Sequence, residues 1–179
     1  MLVATLAQRI LKDEGIDTQL VIGEAAWRVG PGDGDVIAHS PRVGGIAPEG
    51  VMAFAYHAWL QIGDTIIDFT THSLRSKAAS LDAIDGGSTV VLWCPDFLVI
   101  EVGNTLSLHE VNQAPREGVA CYQELPGLYD AMVSAGLREE VDEGDVAVMK
   151  VILANPGIVV LGPSDCRREA TARMASTGR

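Results

Sequence analysis

Two alternating runs, Tyr56 to Ile62 and Thr65 to Thr70, flank the dipeptide Gly63-Asp64. This feature constrains the chain most, because Gly-Asp between alternating runs signals a two-residue hairpin loop. With Gly63 and Asp64 as the loop, Ile62 pairs with Thr65, Leu60 with Ile67, Trp59 with Asp68 and His57 with Thr70. Strand side chains point alternately to opposite faces. One face then carries Ala58, Leu60, Ile62, Thr65, Ile67 and Phe69, and its apolar character makes it the expected core side. The other face carries His57, Trp59, Gln61, Ile66, Asp68 and Thr70.

On that second face His57 and Asp68 are diagonal neighbours. Diagonal Cβ atoms lie about 7–8 Å apart or slightly less, which an imidazole and a carboxylate can close with a hydrogen bond. Such a bond fixes the histidine tautomer and raises its basicity, as a general base requires. It is the orienting half of a nucleophile–His–Asp relay. A His and an Asp on one hairpin face are more often surface decoration than catalysis. Two features argue for a built site: Trp59 shares the face, and the apolar stretch Val51-Met52-Ala53-Phe54-Ala55 leads into His57 as into a central strand.

The 179 residues suit one globular domain, expected over 1–163, with a frayed tail over 164–179 that carries Arg167, Arg168 and Arg173 and no apolar period. Acidic residues number 24 against 13 basic, a net charge of -11. That balance argues against general binding of nucleic acid or an anionic membrane, since both need a positive field. Cys94, Cys121 and Cys166 are an odd, sparse set, unlike a disulfide framework. A reducing, cytoplasmic setting is the expectation. No apolar run approaches the roughly 20 residues of a membrane helix, and no signal peptide is read at the start.

Leu2, Leu6, Ile10 and Leu11 recur at helical spacing, and Gly15 is placed to close that helix. No Ser, Thr, Asp or Asn precedes the run as N-cap. Strands are expected at 18–23, with 24–29 continuing, then at 36–38, 56–62, 65–70, 90–93, 97–102, 106–111, 119–122 and 158–161. Helices are expected at 76–84, from Pro126 to near Gly136, and from Asp142 to about Ala154, the last with a strand as the alternative. Residues 30–35 and 40–50 are rich in Gly and Pro and read as loops. The whole implies an α+β fold, an antiparallel sheet packed on the N-terminal helix with further helices from the C-terminal third.

Other constellations are weak. His39, His72 and His109 have no metal-ligand spacing and read as ordinary histidines. Asp33-Gly34-Asp35 lacks the remaining ligands of a calcium loop. Gly30, Gly32 and Gly34 miss the dinucleotide fingerprint, and neither Ser73 nor Ser164 has nucleophile-elbow glycines. No cofactor and no metal are expected.

The order of motifs resembles a known superfamily. His57-Ala58-Trp59, a turn, then Asp68-Phe69-Thr70 is similar to the His and Asp strands of the transglutaminase-like and papain-like cysteine peptidase superfamily. Upstream, an apolar helix runs into Glu14-Gly15-Ile16-Asp17 and then Gln19 to Gly23, again the order of that superfamily. The resemblance covers about residues 1–70 and is nearest to small uncharacterised bacterial members. It implies a papain-like fold, acyl chemistry on a peptide or other acyl-group substrate, His57 as general base, Asp68 as its orienter and Trp59 as a cleft wall. In the superfamily the nucleophile is a Cys at the N-terminus of the helix before the His strand, where the dipole and the His lower its pKa. No Cys precedes His57 here, so the expected position falls at or just before Met1. Helix 1 is expected to aim its first turn at His57, and Cys121 is the least remote substitute nucleophile. The chain as given is expected to lack cysteine-dependent acyl-transfer activity. The competing readings are a non-catalytic binding module of the same fold and a small acidic interaction protein whose His–Asp pair is accidental.

Overall fold

The computed structural model describes residues 1–40, 55–134, 141–155 and 157. It divides into two compact units, Met1–Asp142 and Glu143–Arg179. The first unit is α+β, with a mixed set of helices around one antiparallel sheet. Helix α1 (Leu2–Asp13) starts without a side-chain cap. Its end is a Schellman closure: Ile16 N–H reaches Leu11 O at 2.8 Å, Gly15 N–H reaches Lys12 O at 3.0 Å, and Gly15 takes φ +79°.

The sheet is organised by β1 (Gln19–Arg28). Gly23 pairs with His57 of β3 (His57–Ile62) and also with Glu124 of β6 (Ala120–Glu124), so β3 and β6 flank β1 on opposite edges. Ala25 pairs with His39 of β2 (Val36–His39) and with Tyr122 of β6. Strands β2 and β3 therefore lie end to end along one edge of β1. Beyond β3 come β4 (Thr65–Asp68) and then the edge strand β5 (Leu98–Glu101). The β3–β4 hairpin has the register expected from Gly63-Asp64, with Ile62 opposite Thr65 and Leu60 opposite Ile67. Gly63 supplies the φ of +56° at the loop.

Both sheet faces are buried, which corrects the expectation of one core face. Ile22, Ala58 and Leu60 pack under α1 and α4 (Leu128–Ser134), through Ala4 and Met132. Ala26 and Cys121 lie on the same side with Val111 of α3 (Leu108–Gln113). The opposite face presents Val21, Ala25, Trp27, Ile37, Trp59, Ile66 and Tyr122, and packs with Leu74 and Ala78 of α2 (Leu74–Asp85). Large aromatic groups on that face gain more from burial than from water, and the chain supplies a cover for them.

Two expected strands are not strands. Residues 90–93 cross the aromatic face without a ladder, held by Leu92 and Trp93 N–H on the single carbonyl of Val29 (2.8 and 2.9 Å) and by Val90 N–H on Asp35 Oδ1. The run 106–111 turns helical, because Ser107 and Glu110 form a capping box that nucleates α3. Residues 142–154 settle as helix α5 (Glu143–Ala154), with Glu143 and Asp145 in the first turn favoured by the helix dipole. The 158–161 strand and the 164–179 tail lie outside the described residues. Among the described residues no helix is long and apolar enough to cross a membrane.

Candidate functional site

The hairpin register sets the site. Beyond the Leu60–Ile67 pair the chains continue to Trp59 and Asp68, and His57 lies two residues before Trp59 on the same face, where its ring meets Trp59 and Trp27. His57 Nε2 lies 2.9 Å from Asp68 Oδ2. Asp68 is 0% exposed and His57 6%. The hydroxyl of Tyr122 donates to the same Oδ2 at 2.7 Å, and Trp27 Nε1–H donates to that hydroxyl at 2.9 Å. Asp68 Oδ1 accepts from the backbone N–H and the hydroxyl of Thr70, both at 2.8 Å. Every donor around this carboxylate favours its charged form.

Burial pushes the Asp68 carboxyl upward, yet the bond and charge of His57, with the bonds from Tyr122 and Thr70, outweigh it and hold the pKa at about 2. An ionised Asp68 only accepts, so the His57 nitrogen facing it carries the proton. The basic lone pair of neutral His57 is then on Nδ1, which has no hydrogen-bond partner among the described residues. Burial, followed by the charge and bond of Asp68, raises the Tyr122 hydroxyl well above its ordinary pKa of 10, so it stays a donor.

The imidazole is held between flat groups. His39 stacks on one side (centroids 5.7 Å, planes 22°) and Trp59 on the other (6.2 Å, 18°), while Trp27 meets it edge-on at 4.8 Å. Trp59, expected to shape a cleft wall, is 2% exposed and packs inside this stack. Two polar atoms in the layer, Trp59 Nε1 and His39 Nε2, are buried without a partner among the described residues. Burial first, then the charges of Lys77 and His57, lowers the His39 pKa from 6.5 to about 4. Burial also lowers that of Lys77 on α2, with Asp68 opposing. The sequence reading set His39 aside and missed Tyr122, Trp27 and Lys77. The signal for Tyr122 and Trp27 was faint: each is an amphipathic aromatic in an otherwise apolar strand, a residue that seeks a polar partner when buried.

The remaining candidates lie elsewhere. His72 is exposed, its Nδ1 2.9 Å from the carbonyl of Phe69. His109 is exposed on α3. Buried Asp35 serves as a clasp, accepting from Gly32 N–H and Val90 N–H. Among the described residues no group of three or more His, Cys, Asp or Glu could hold a metal ion. Cys121 is buried on the face opposite His57. Cys94 packs against the aromatic layer, with its thiol donating to the carbonyls of Thr71 and His72 at 3.4 Å each. Cys166 lies outside the described residues. Helix α1 also packs on the face opposite the His57 ring. Its first-turn residues Met1 and Ala4 share a cluster with Tyr56 and Ala58, the chain neighbours of His57.

No family model matches the chain, and no curated protein matches it. One solved structure similar to it is a crystal structure described only as a genomics target, with 15% sequence identity and a TM-score of 0.50. The match covers 85% of this chain, which spans 64% of that structure's length. A likeness at that identity concerns the fold alone.

Proposed function

We propose that this chain is a cysteine-peptidase-like or transglutaminase-like domain of papain-like fold, built for acyl chemistry on a peptide or other acyl-group substrate. His57 is its general base through Nδ1, and Asp68 holds the ring and stabilises the imidazolium. The carrying observation is the 2.9 Å His57–Asp68 bond, with the carboxylate saturated by donors and the outer ring nitrogen left basic. A general base needs that division of labour between its nitrogens. The place for a nucleophilic thiol in this reading is the start of α1, where the helix dipole favours a thiolate. Met1 and Ala4 at that start pack with Tyr56 and Ala58 on the face opposite the His57 ring, so a thiol there must reach the imidazole round the end of β3, which begins at His57, and not through the sheet.

The test places a thiol there. Met1→Cys, in a chain carrying a short N-terminal leader, is alkylated near neutral pH with iodoacetamide. The expected result is labelling faster than that of a free cysteine, with the excess lost in the Met1→Cys, His57→Ala double variant. Labelling at the free-cysteine rate, indifferent to His57, defeats the reading. It would favour a binding module that keeps the fold, which the deep burial of His57 inside three aromatic rings also suits.

A further inference from the structure

We propose that Tyr122, anchored by Trp27, is a positioning residue for His57: its hydroxyl holds the Asp68 carboxylate in the orientation that keeps Nε2–H bound and leaves Nδ1 as the basic nitrogen. The proposal deepens the reading of His57 as a general base. The argument starts from what each group is able to do. An indole N–H is donor only. Trp27 Nε1–H points at the Tyr122 oxygen at 2.9 Å and occupies it as acceptor. A phenol has one proton, which must then go elsewhere. The acceptor beside it is Asp68 Oδ2 at 2.7 Å. The chain of bonds therefore runs one way, from Trp27 through Tyr122 to Asp68. Asp68 is a pure acceptor, and the facing nitrogen of His57 must be protonated.

The fold makes a special arrangement for this reach. Tyr122 sits on β6 and Asp68 on β4, with β1 and β3 between them. Three strand spacings of about 4.8 Å make about 14 Å across a flat sheet. The bond closes because the sheet curls with the aromatic face inside. The positions beneath the tyrosine, Ala25 opposite it and Gly23 next along β1, are small. Tyr122 is also wedged against Trp59 (5.3 Å) and Trp27 (6.0 Å), so its ring is held whether or not the hydroxyl is bonded. The hydroxyl thus has a role separable from packing.

Without that hydroxyl, Oδ2 keeps only the His57 bond, and the carboxylate can turn about its bonds to Thr70 and loosen its hold on Nε2–H. The experiment is long-range 1H–15N correlation of the imidazole nitrogens across a pH titration. It compares wild type with Tyr122→Phe, which keeps the ring, and with Thr70→Val, which removes one donor from Oδ1 only. Wild type and Thr70→Val should show a single Nε2–H tautomer for neutral His57. Tyr122→Phe should show a tautomer mixture for neutral His57, because a carboxylate that has lost the Oδ2 donor no longer holds the orientation that binds Nε2–H. An unchanged single tautomer in folded Tyr122→Phe, even with lower stability, overturns the proposal. If Tyr122→Phe does not fold, Trp27→Phe reads the same chain one link earlier: a mixture supports it, and a single Nε2–H tautomer overturns it. The readout is independent of thiol labelling at Met1→Cys, so either idea can fail alone.

Discussion

His39 stacks on His57 with ring centroids 5.7 Å apart, although 17 residues separate them in the chain, because β2 and β3 run end to end along one edge of β1. Neither ring can gain a proton without opposing the other, and Lys77 adds a third positive group close by. Among the described residues, Asp68 is the charge that opposes them. Burial, the largest cause, and these charges leave His39 neutral in the fold down to a pKa of about 4, against 6.5 when unfolded. Between those values the unfolded chain binds the proton and the fold does not, so stability rises with pH. The loss on acidification should be about 1 kcal/mol per pH unit, since a part-exposed ring falls short of the full linkage slope. Chemical denaturation from pH 7 to 4 reads this. His39→Phe keeps the stacking and removes an unpaired buried nitrogen, so it should be neutral or stabilising at pH 7 and flatten the profile. A variant that parallels wild type across the window removes His39 as the cause.

Asp68 titrates lower still. Its pKa of about 2 lies below the ordinary value of 3.8, so its contribution is complete above pH 4 and is lost as the pH falls through 2. That contribution is about 2 kcal/mol at neutral pH. Asp68→Asn should cost about 3 kcal/mol or more, because all four neighbours are donors and an amide has one acceptor oxygen. One side of the amide must then face donors with a donor. Equilibrium denaturation at pH 7 measures it, and a cost under 1 kcal/mol would mean the network is not as drawn.

What the sequence could and could not show follows from locality. The loop Gly63-Asp64 fixes its own hairpin, so the Ile62–Thr65 register and the shared face of His57 and Asp68 were readable from adjacent residues. The bond from Tyr122 to Asp68 spans 54 positions and depends on β6 taking the far edge of β1, which no local pattern encodes. His39 carries no local signal for the same reason: its partner is supplied by strand order. The missed helix α3 is a different failure. Ser107-Leu108-His109-Glu110 carries the capping-box signature, and the apolar Leu106 and Val111 drew attention from it toward a strand.

Gly23 is where the two halves of the sheet meet the site. A Cβ there would fall 2.1 Å from the backbone oxygen of Gln123 and 2.9 Å from Glu124 Cα. Neither is a movable side chain, so β6 itself would have to shift, and Tyr122 with it. Gly23→Ala should therefore cost about 3 kcal/mol, at the upper end of overpacking penalties. Gly34→Ala, where nothing lies within 4 Å, should stay within about 0.5 kcal/mol. Denaturation midpoints of the two variants decide it, and equal midpoints would show that β6 yields freely at Gly23.

The cysteines provide the last test of where acyl chemistry is absent. Cys121 is 3% exposed, packed with Ala26 and Val111 on the face opposite His57. Its thiol has no route to the imidazole through the sheet. Cys94 is on the correct side, but its proton is committed to the carbonyls of Thr71 and His72. Its bonds go to these carbonyls and not to the imidazole that would have to take its proton, and the thiolate is the nucleophile. Native-state alkylation of the chain, followed by peptide mapping to separate these two from Cys166, should therefore find slow labelling at Cys94 and slower labelling at Cys121. His57→Ala should leave both rates unchanged, since neither sulfur depends on that base. A rapid Cys94 reaction abolished by His57→Ala would reverse the conclusion, making Cys94 the nucleophile and the 90–97 segment part of the catalytic machinery.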